Sequence, residues 1–242
     1  MNSMKSGHMS NPLIPPGYQF DEAAGRYRDM RGRFVSYATI FTVISAAENR
    51  SGDTIKELSI ALLRDQIPAS AWYTACAQCL QRIHVQFSVL GAGGIDGLRP
   101  DNFRYVDRAV RAEMQRLLAF GVAIAEKSLS EAQIEARVDM YIGSARKNYW
   151  ALLAKPKLTR TDVLIERRRL GNADHCAWCD YLSKAGWQIV DTLPIPGESS
   201  SAWNDGQCLS ACHCELERLI IERHATADFI ETPLPSKYHR RE

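Results

Sequence analysis

The sequence predicts a mainly α-helical protein, in which a helical bundle is preceded by a β-hairpin and followed by a small cysteine-rich module. Apolar residues recur at three- and four-residue spacing through most of residues 37–170, which is typical of amphipathic helices. Aromatic residues flank a glycine-closed turn near the start of the chain. Five of the seven cysteines lie between His175 and Glu217. We therefore divide the chain into residues 1–36, 37–170 and 171–242.

Composition and charge exclude several classes of protein. A chain of 242 residues with 45% hydrophobic and 24% charged residues can bury a core and has the composition of an ordinary globular protein. Its formal net charge is +2, so nucleic-acid binding could only be local. No apolar run approaches the roughly 20 residues that a membrane-spanning helix needs, and the N-terminal residues lack the hydrophobic segment of a secretion signal. We therefore expect no contact with a membrane.

Residues 1–36 predict an extended tail and a β-hairpin. The first 17 residues contain three prolines and no periodicity. Tyr27 and Arg28 precede the turn Asp29–Gly32, and Phe34 and Val35 follow it. Aromatic and β-branched residues on both sides of a turn that ends in glycine are typical of a short hairpin.

Four arginines surround this hairpin: Arg26, Arg28, Arg31 and Arg33. They could contact packaged DNA through its phosphates, or an acidic partner surface. The alternative is a solvated hairpin whose aromatic residues, Tyr27 and Phe34, dock on the helical body. An isolated hairpin is only marginally stable, so its aromatic side chains need such a surface.

The helical body begins after Ser36, and caps, prolines and glycines mark its helix ends. Ser51–Asp53 predicts a break, after which Thr54 and Glu57 form a capping box for a second helix. Pro68 opens a longer helix, and the glycines between 91 and 97 end it. Further helices are expected over residues 102–125, 130–153 and 159–170. Almost nothing in the body alternates as strands do, so we expect a mostly antiparallel helical bundle with short connections.

The body offers no catalytic grouping. The glycines from Gly91 to Gly94 lack the preceding strand and the following Gly-Lys-Ser/Thr of a phosphate loop, so we interpret them as a joint between helices. Cys76 and Cys79 share a helix face with Trp72, which favours core packing, with a redox or metal role as the alternative. His84 is interpreted as a partly buried polar residue.

The cysteine-rich module predicts a zinc knuckle. Structural zinc takes four ligands, commonly from two closely spaced cysteine pairs, and the chain offers Cys176-Ala-Trp-Cys179 followed by three more cysteines. We favour a closed, structural set of Cys176, Cys179, Cys208 and Cys212, with Cys214 as the reserve. Disulfides and inert thiols are the alternatives, and an odd number of cysteines argues against full disulfide pairing. In a four-sulfur site, the neighbouring His175 and His213 have no place.

Five stretches of the C-terminal third resemble the C-terminal signature of tailed-phage head morphogenesis proteins, the minor head proteins related to the Mu F-like family. They are Glu166–Gly171, His175–Cys179, Gly186-Trp187, Leu193–Gly197 and Gln207–Leu216. Residues 136–150 also resemble the helix that precedes this signature. The likeness covers about 80 residues, and its final Cys-His-Cys replaces the Cys-Arg-Cys of many members.

The resemblance implies a minor capsid protein without catalytic turnover, at or inside the phage head or neck. It would contact capsid or portal subunits in several copies per virion, after assembly in the host cytoplasm. A second hypothesis is a zinc-dependent nucleic-acid-binding protein that uses the hairpin arginines and Arg167–Arg169 as phosphate contacts. A zinc or thiol enzyme is the third, and the absence of a base–nucleophile grouping makes it the weakest.

Overall fold

The computed structural model describes residues 13–14, 16–171, 175–197 and 212–223. These residues form a mainly helical protein with an N-terminal antiparallel hairpin and a C-terminal cysteine cluster, which confirms the predicted fold class. The strands are β1 (Gln19–Asp21), β2 (Arg26–Arg28), β3 (Asp162–Arg169), β4 (Gln188–Ile189) and β5 (Glu215–Glu222). The helices are α1 (Tyr37–Leu63), α2 (Ala69–Gly91), α3 (Pro100–Ala125), α4 (Glu131–Ser144), α5 (Arg146–Ala151) and α6 (Ala177–Lys184).

The N-terminal hairpin docks on the helices through Tyr27, one of the two aromatic residues expected to dock. β1 and β2 pair antiparallel across residues 22–25, so the hairpin lies earlier in the chain than predicted. The predicted turn follows β2, where the Gly32 N–H donates to the Asp29 carbonyl at 2.9 Å, and Phe34 beyond it forms a single bridge with Arg28. Tyr27 is buried, and its hydroxyl donates to the Leu90 carbonyl at 3.1 Å. Phe34 stays 42% exposed beneath the guanidinium of Arg28. The expectation that both rings dock therefore holds for Tyr27 alone.

The predicted break at residues 51–53 is wrong, because α1 runs through it without interruption. Gly52 is buried inside the helix, where a Cβ atom would come within 3.8 Å of the Ile142 side chain on α4. Thr54 caps nothing, and its hydroxyl donates to the Arg50 carbonyl one turn back at 3.0 Å. A glycine inside a helix costs about 1 kcal/mol relative to alanine, and the packing of α1 along α4 offsets that cost.

Other helix ends follow their local signals. Pro68 is the N-cap of α2, and the predicted capping box opens α4, where the Gln133 N–H donates to the Ser130 hydroxyl at 3.3 Å. The helix predicted to reach residue 153 is divided at Ala145 into α4 and α5. α2 ends at Gly91 against α5, where a Cβ atom would lie 2.4 Å from the Tyr149 carbonyl oxygen. Only glycine allows this contact between the two helices.

Residues 162–169 form a strand, where the sequence predicted a helix. β3 is the central strand of a three-stranded antiparallel sheet in the order β4-β3-β5. Leu164, Glu166 and Arg168 are buried on one face, and Ile165 is fully buried on the other. Because Glu166 and Arg168 are charged and both faces contain buried residues, the alternation of apolar and polar residues that marks a half-buried strand is missing. Glu166 is compensated by a buried ion pair with Arg218 of β5 at 3.3 Å.

One hydrophobic core joins the hairpin, the bundle and the cysteine-rich region. It contains Tyr27, the central side chains of α1 to α5, and Trp178, Leu193 and Leu216 from the C-terminal part. The division at residues 36 and 170 stays a prediction, and buried apolar contacts run across both positions. Among the helices of the described residues, none has the length and hydrophobicity of a membrane-spanning segment.

Candidate metal centre

Three thiols meet in the C-terminal region. The Sγ atoms of Cys179, Cys212 and Cys214 all lie within 4.8 Å of one another, and the three side chains are buried. Cys179 and Cys212 are 3.7 Å apart, far beyond the roughly 2.05 Å of a disulfide bond, and all three are free cysteines. A buried group of three sulfurs can hold a metal ion.

Helix α6 and the β3–β5 pairing bring these thiols together. Cys176 is the N-cap of α6, and its sulfur accepts the Cys179 N–H at 3.5 Å, which places Cys179 in the first turn. Cys212 and Cys214 immediately precede β5, which pairs with β3 along its full length. Beyond β3, Gly171 passes so close to residue 213 that a Cβ atom would lie 2.5 Å from the His213 carbonyl oxygen. The chain crossing therefore sets Cys212 and Cys214 beside α6.

The predicted ligands have three different outcomes. Cys179, Cys212 and the reserve ligand Cys214 form the three-sulfur group. Cys176 is half-buried and packs against this group, and its sulfur is not a member of it. Cys208 lies outside the described residues. The favoured set of four cysteines stays a prediction.

Cys76 and Cys79 belong to the core of the bundle, as the packing interpretation expects. Both are buried on α2. Burial raises the pKa of the Cys76 thiol to about 12, so this thiol stays protonated at neutral pH. A protonated, buried thiol acts as a small apolar side chain.

Arg168 places a positive charge beside the thiols. Its side chain is 3% exposed, and Nη2 donates to the Pro194 carbonyl. Nε and Nη1 have no hydrogen-bond partner among the residues that the structure describes. A buried guanidinium without a carboxylate partner is costly, and the nearby thiols can supply the missing negative charge once they ionise.

Hydrogen bonds among the three thiols favour a single thiolate, at Cys212. The pKa of Cys212 is lowered because the Cys179 and Cys214 thiols donate hydrogen bonds to its thiolate and because Arg168 adds a positive charge. The hydrogen bond to Cys212 raises the pKa of Cys179. The cluster therefore holds one thiolate readily and resists further ionisation. A bound cation removes that resistance, since metal coordination deprotonates thiols.

Arg146 connects the helical body to the metal centre. Its guanidinium forms a buried, two-point ion pair with Glu48 of α1 and reaches the Cys212 carbonyl at 3.4 Å. It also contacts Nδ1 of His213 at 2.9 Å. Arginine can only donate, so this nitrogen accepts. The sequence carries no local signal for the Glu48–Arg146 pair, whose members are 98 residues apart.

His175 touches the cluster directly. Its Nε2 lies 2.8 Å from the Gly171 carbonyl oxygen, and its Nδ1 lies 3.6 Å from Sγ of Cys214. In the four-sulfur site expected from the sequence, this residue has no role. Its position next to Cys176 in the sequence indicates a possible metal ligand, which the assumption of four sulfur ligands excludes.

The arginines expected to contact DNA are mostly engaged within the protein. Arg28 pairs with Asp21 at 2.7 Å, and Arg33 pairs with Asp29 at 2.8 Å. Arg26 donates to the Val35 carbonyl. In the second group, Arg167 and Arg169 share one carboxylate, that of Glu217, at 2.6 and 3.7 Å, and Arg168 is buried. These bonds reduce the positive charge that the hairpin and β3 offer to phosphates.

Comparisons of this chain with protein-family models, curated proteins and solved structures find no match. The resemblance to phage head morphogenesis proteins therefore stays a prediction.

Proposed function

We propose that this protein is a non-enzymatic structural component of a tailed-phage virion, a minor head protein whose C-terminal cysteines hold a structural Zn²⁺ ion. The observation that carries the proposal is the buried group of Cys179, Cys212 and Cys214. A catalytic metal needs an open coordination position that substrate can reach. These three thiols are instead buried, Arg146 contacts the Cys212 carbonyl from the body side, and the buried Arg168 lies nearby.

The type of donor supports zinc. Thiolate-rich, tetrahedral sites select zinc or iron–sulfur clusters over hard cations such as Mg²⁺ and Ca²⁺. One mononuclear ion is sufficient for three sulfurs within 4.8 Å. Zinc also has no redox chemistry of its own, which suits an ion that only holds the chain together.

The packing of the resembling stretches supports the family interpretation. Arg168 of the first stretch donates to Pro194 of the fourth, and Gly171 approaches His213 of the last. Residues of the second stretch supply Cys179 and its helix cap. Stretches separated in sequence therefore surround one site, as expected if the signature marks a structural unit.

Burial of the thiols argues against a thiol enzyme. Cys214 contacts an imidazole, that of His175, as a catalytic cysteine would. Its side chain is fully buried, however, so a substrate has no path to the sulfur.

Exposed apolar side chains on the bundle support contacts with other virion subunits. Leu118 and Val122 lie one turn apart on α3, and Met140 lies on α4.

Two measurements test the proposal. Metal analysis of protein purified without chelator should find about one zinc per chain, because three clustered thiols and a fourth donor bind one tetrahedral ion. Mass spectrometry of phage particles purified from cells that express this chain should detect it in the virion. Disulfides in place of metal would contradict the zinc site, and absence from particles that are otherwise complete would contradict the virion role.

DNA affinity separates this proposal from the nucleic-acid-binding hypothesis. An assembly protein should bind duplex DNA weakly, and binding through a few phosphate contacts should fall steeply from low to moderate salt. Nanomolar affinity for duplex DNA at physiological salt would favour the nucleic-acid-binding hypothesis.

A further inference from the structure

The two contacts at the edges of the thiol cluster have the lengths expected of a tetrahedral metal site. With zinc–sulfur bonds of about 2.3 Å and zinc–nitrogen bonds of about 2.05 Å, tetrahedral geometry puts two sulfurs about 3.8 Å apart and a sulfur and a nitrogen about 3.6 Å apart. The Cys179–Cys212 sulfur distance is 3.7 Å. The distance from Sγ of Cys214 to Nδ1 of His175 is 3.6 Å. Each of these two distances matches one edge of such a tetrahedron. His175 is outside the group whose ligand atoms all lie within 4.8 Å of one another, so its ring has to move closer to Cys179 and Cys212 to complete the site.

The hydrogen bond on the far side of the His175 ring fixes which nitrogen can bind metal. A carbonyl oxygen only accepts, so Nε2 must carry the proton that it shares with Gly171 at 2.8 Å. In a neutral imidazole the other nitrogen, Nδ1, then has a free lone pair, and it faces Cys214. Histidines that bind metals typically donate their second ring N–H to such a partner. The ring lies beside Cys214, outside the three-sulfur group, and so approaches the ion from that side.

His213 shows the opposite arrangement. Its Nδ1 already accepts a hydrogen bond from Arg146 at 2.9 Å, and its side chain is exposed. The two histidines are both adjacent to cysteines in the sequence, and only one of them offers a lone pair to the cluster. This difference makes His213 the matched control for His175.

The charge balance favours one imidazole among the ligands. Zn²⁺ with three thiolates and a neutral imidazole carries a single net negative charge, whereas four thiolates give two. The unpaired guanidinium of Arg168 supplies one buried positive charge beside Cys212 and Cys214. The site with three cysteines and one histidine is therefore neutral together with Arg168, and neutrality is what a buried location requires.

We infer that His175 is the fourth ligand, through Nδ1, of a metal site completed by Cys179, Cys212 and Cys214, with Arg168 as its buried counter-charge. This inference rests on the proposed structural metal and replaces the four-cysteine set expected from the sequence. Cys176 then serves as the cap of α6, where its sulfur accepts the Cys179 N–H.

Nuclear magnetic resonance with the full chain tests the ligand set. The protein is labelled with ¹⁵N-histidine and loaded with ¹¹³Cd²⁺, which replaces zinc in thiolate sites and couples to directly bound nitrogens. We expect one histidine Nδ1 signal to be split by cadmium. The splitting should persist in His213→Ala and vanish in His175→Ala. A cadmium-loaded protein with no split histidine signal, or a splitting that survives His175→Ala, would overturn the inference.

Metal affinity provides the second readout. Loss of a ligand should weaken zinc binding at least tenfold in His175→Ala, since even the outer partners of zinc ligands contribute roughly 10–100-fold, while His213→Ala should stay within about twofold of the parent. Equal affinities for the parent and His175→Ala would overturn the inference and leave the structural zinc intact. A parent protein that binds neither zinc nor cadmium would overturn both. If His175→Ala fails to fold, the spectra of the parent and of His213→Ala still decide between a nitrogen ligand and four sulfurs.

Discussion

The helical body and the cysteine-rich region are held together by different forces. In the body, the largest fully buried side chains are apolar, among them Trp72, Phe87 and Phe120. In the C-terminal region, the buried positions include Glu166, Arg168 and three thiols. Burial of apolar area stabilises the body without any ligand. Buried charges and thiols stabilise a fold only when they are compensated, so we expect the C-terminal region to depend on the partners of these groups and on the proposed cation.

The largest expected effect is loss of the metal, which tests that dependence. Cys179→Ser should abolish metal binding and unfold the region around β5 while most of the helical signal remains, because metal-binding energy is folding energy in small metal sites. Hydrogen exchange of β5 amides and far-ultraviolet circular dichroism measure the two regions separately. Loss of all helicity would show that the shared core makes both regions one folding unit.

A cavity made by substitution in the body tests whether apolar packing stabilises the helices. Trp72 is 1% exposed and packs edge-on against Phe120, and its indole N–H donates to Ser59 at 3.1 Å. Trp72→Ala should lower the free energy of unfolding by about 3–5 kcal/mol, as measured by urea denaturation of the metal-loaded protein. Leu118→Ala, at an exposed site on the same bundle, should change it by less than about 0.5 kcal/mol. Similar losses for both variants would contradict a body held by core packing.

The Glu48–Arg146 pair lies in the helical body at its contact with the cysteine-rich region, and its two members should show coupling. Glu48→Gln leaves the Arg146 guanidinium buried without its carboxylate, which should cost about 3 kcal/mol. The double variant Glu48→Met/Arg146→Met removes both charges and should cost clearly less than the sum of its single variants, Glu48→Met and Arg146→Met. A double-mutant cycle in urea measures this difference. Additive effects would show that the pair does not act as a unit.

The smallest expected effect concerns His84, a polar exception in the body. Its ring is fully buried and accepts a hydrogen bond from the Asn148 amide at 3.0 Å. Burial, with a smaller effect from Lys147, lowers the pKa of His84 from 6.5 to about 4. Between these two values the unfolded chain binds a proton that the native protein does not, so stability falls as the pH falls. The stability is complete above pH 6.5 and is reduced by about 2 kcal/mol at pH 5.

His84→Gln should remove this part of the pH dependence. Unfolding free energies of the two proteins at pH 7 and pH 5 give the contribution as a difference, in which the pH dependence of metal binding cancels. An unchanged difference between pH 7 and pH 5 in the variant would show that His84 stays neutral in both states or is solvated in the native protein.

Local signals predicted those parts of the fold that local chemistry decides. Pro68 and the Ser130 capping box mark the starts of α2 and α4 because each satisfies or removes backbone donors at a helix start. The break predicted at residues 51–53 is wrong because packing of α1 against α4 outweighs the low helix propensity of Gly52. The strand β3 was missed because its buried face carries Glu166 and Arg168, whose partners lie elsewhere in the chain.

The sequence by itself determined a helical body and a concentration of thiols in the C-terminal third, since helix periodicity and cysteine spacing are patterns among residues close together in the chain. Only the tertiary structure decided which thiols meet and what surrounds them. Cys179 and Cys212 are 33 residues apart, and Arg146 reaches the site from the helical body. Contacts between such distant residues produce no periodic pattern in the sequence, because they form only when β3, β5 and α6 pack together. The candidate metal site consists of contacts of this kind.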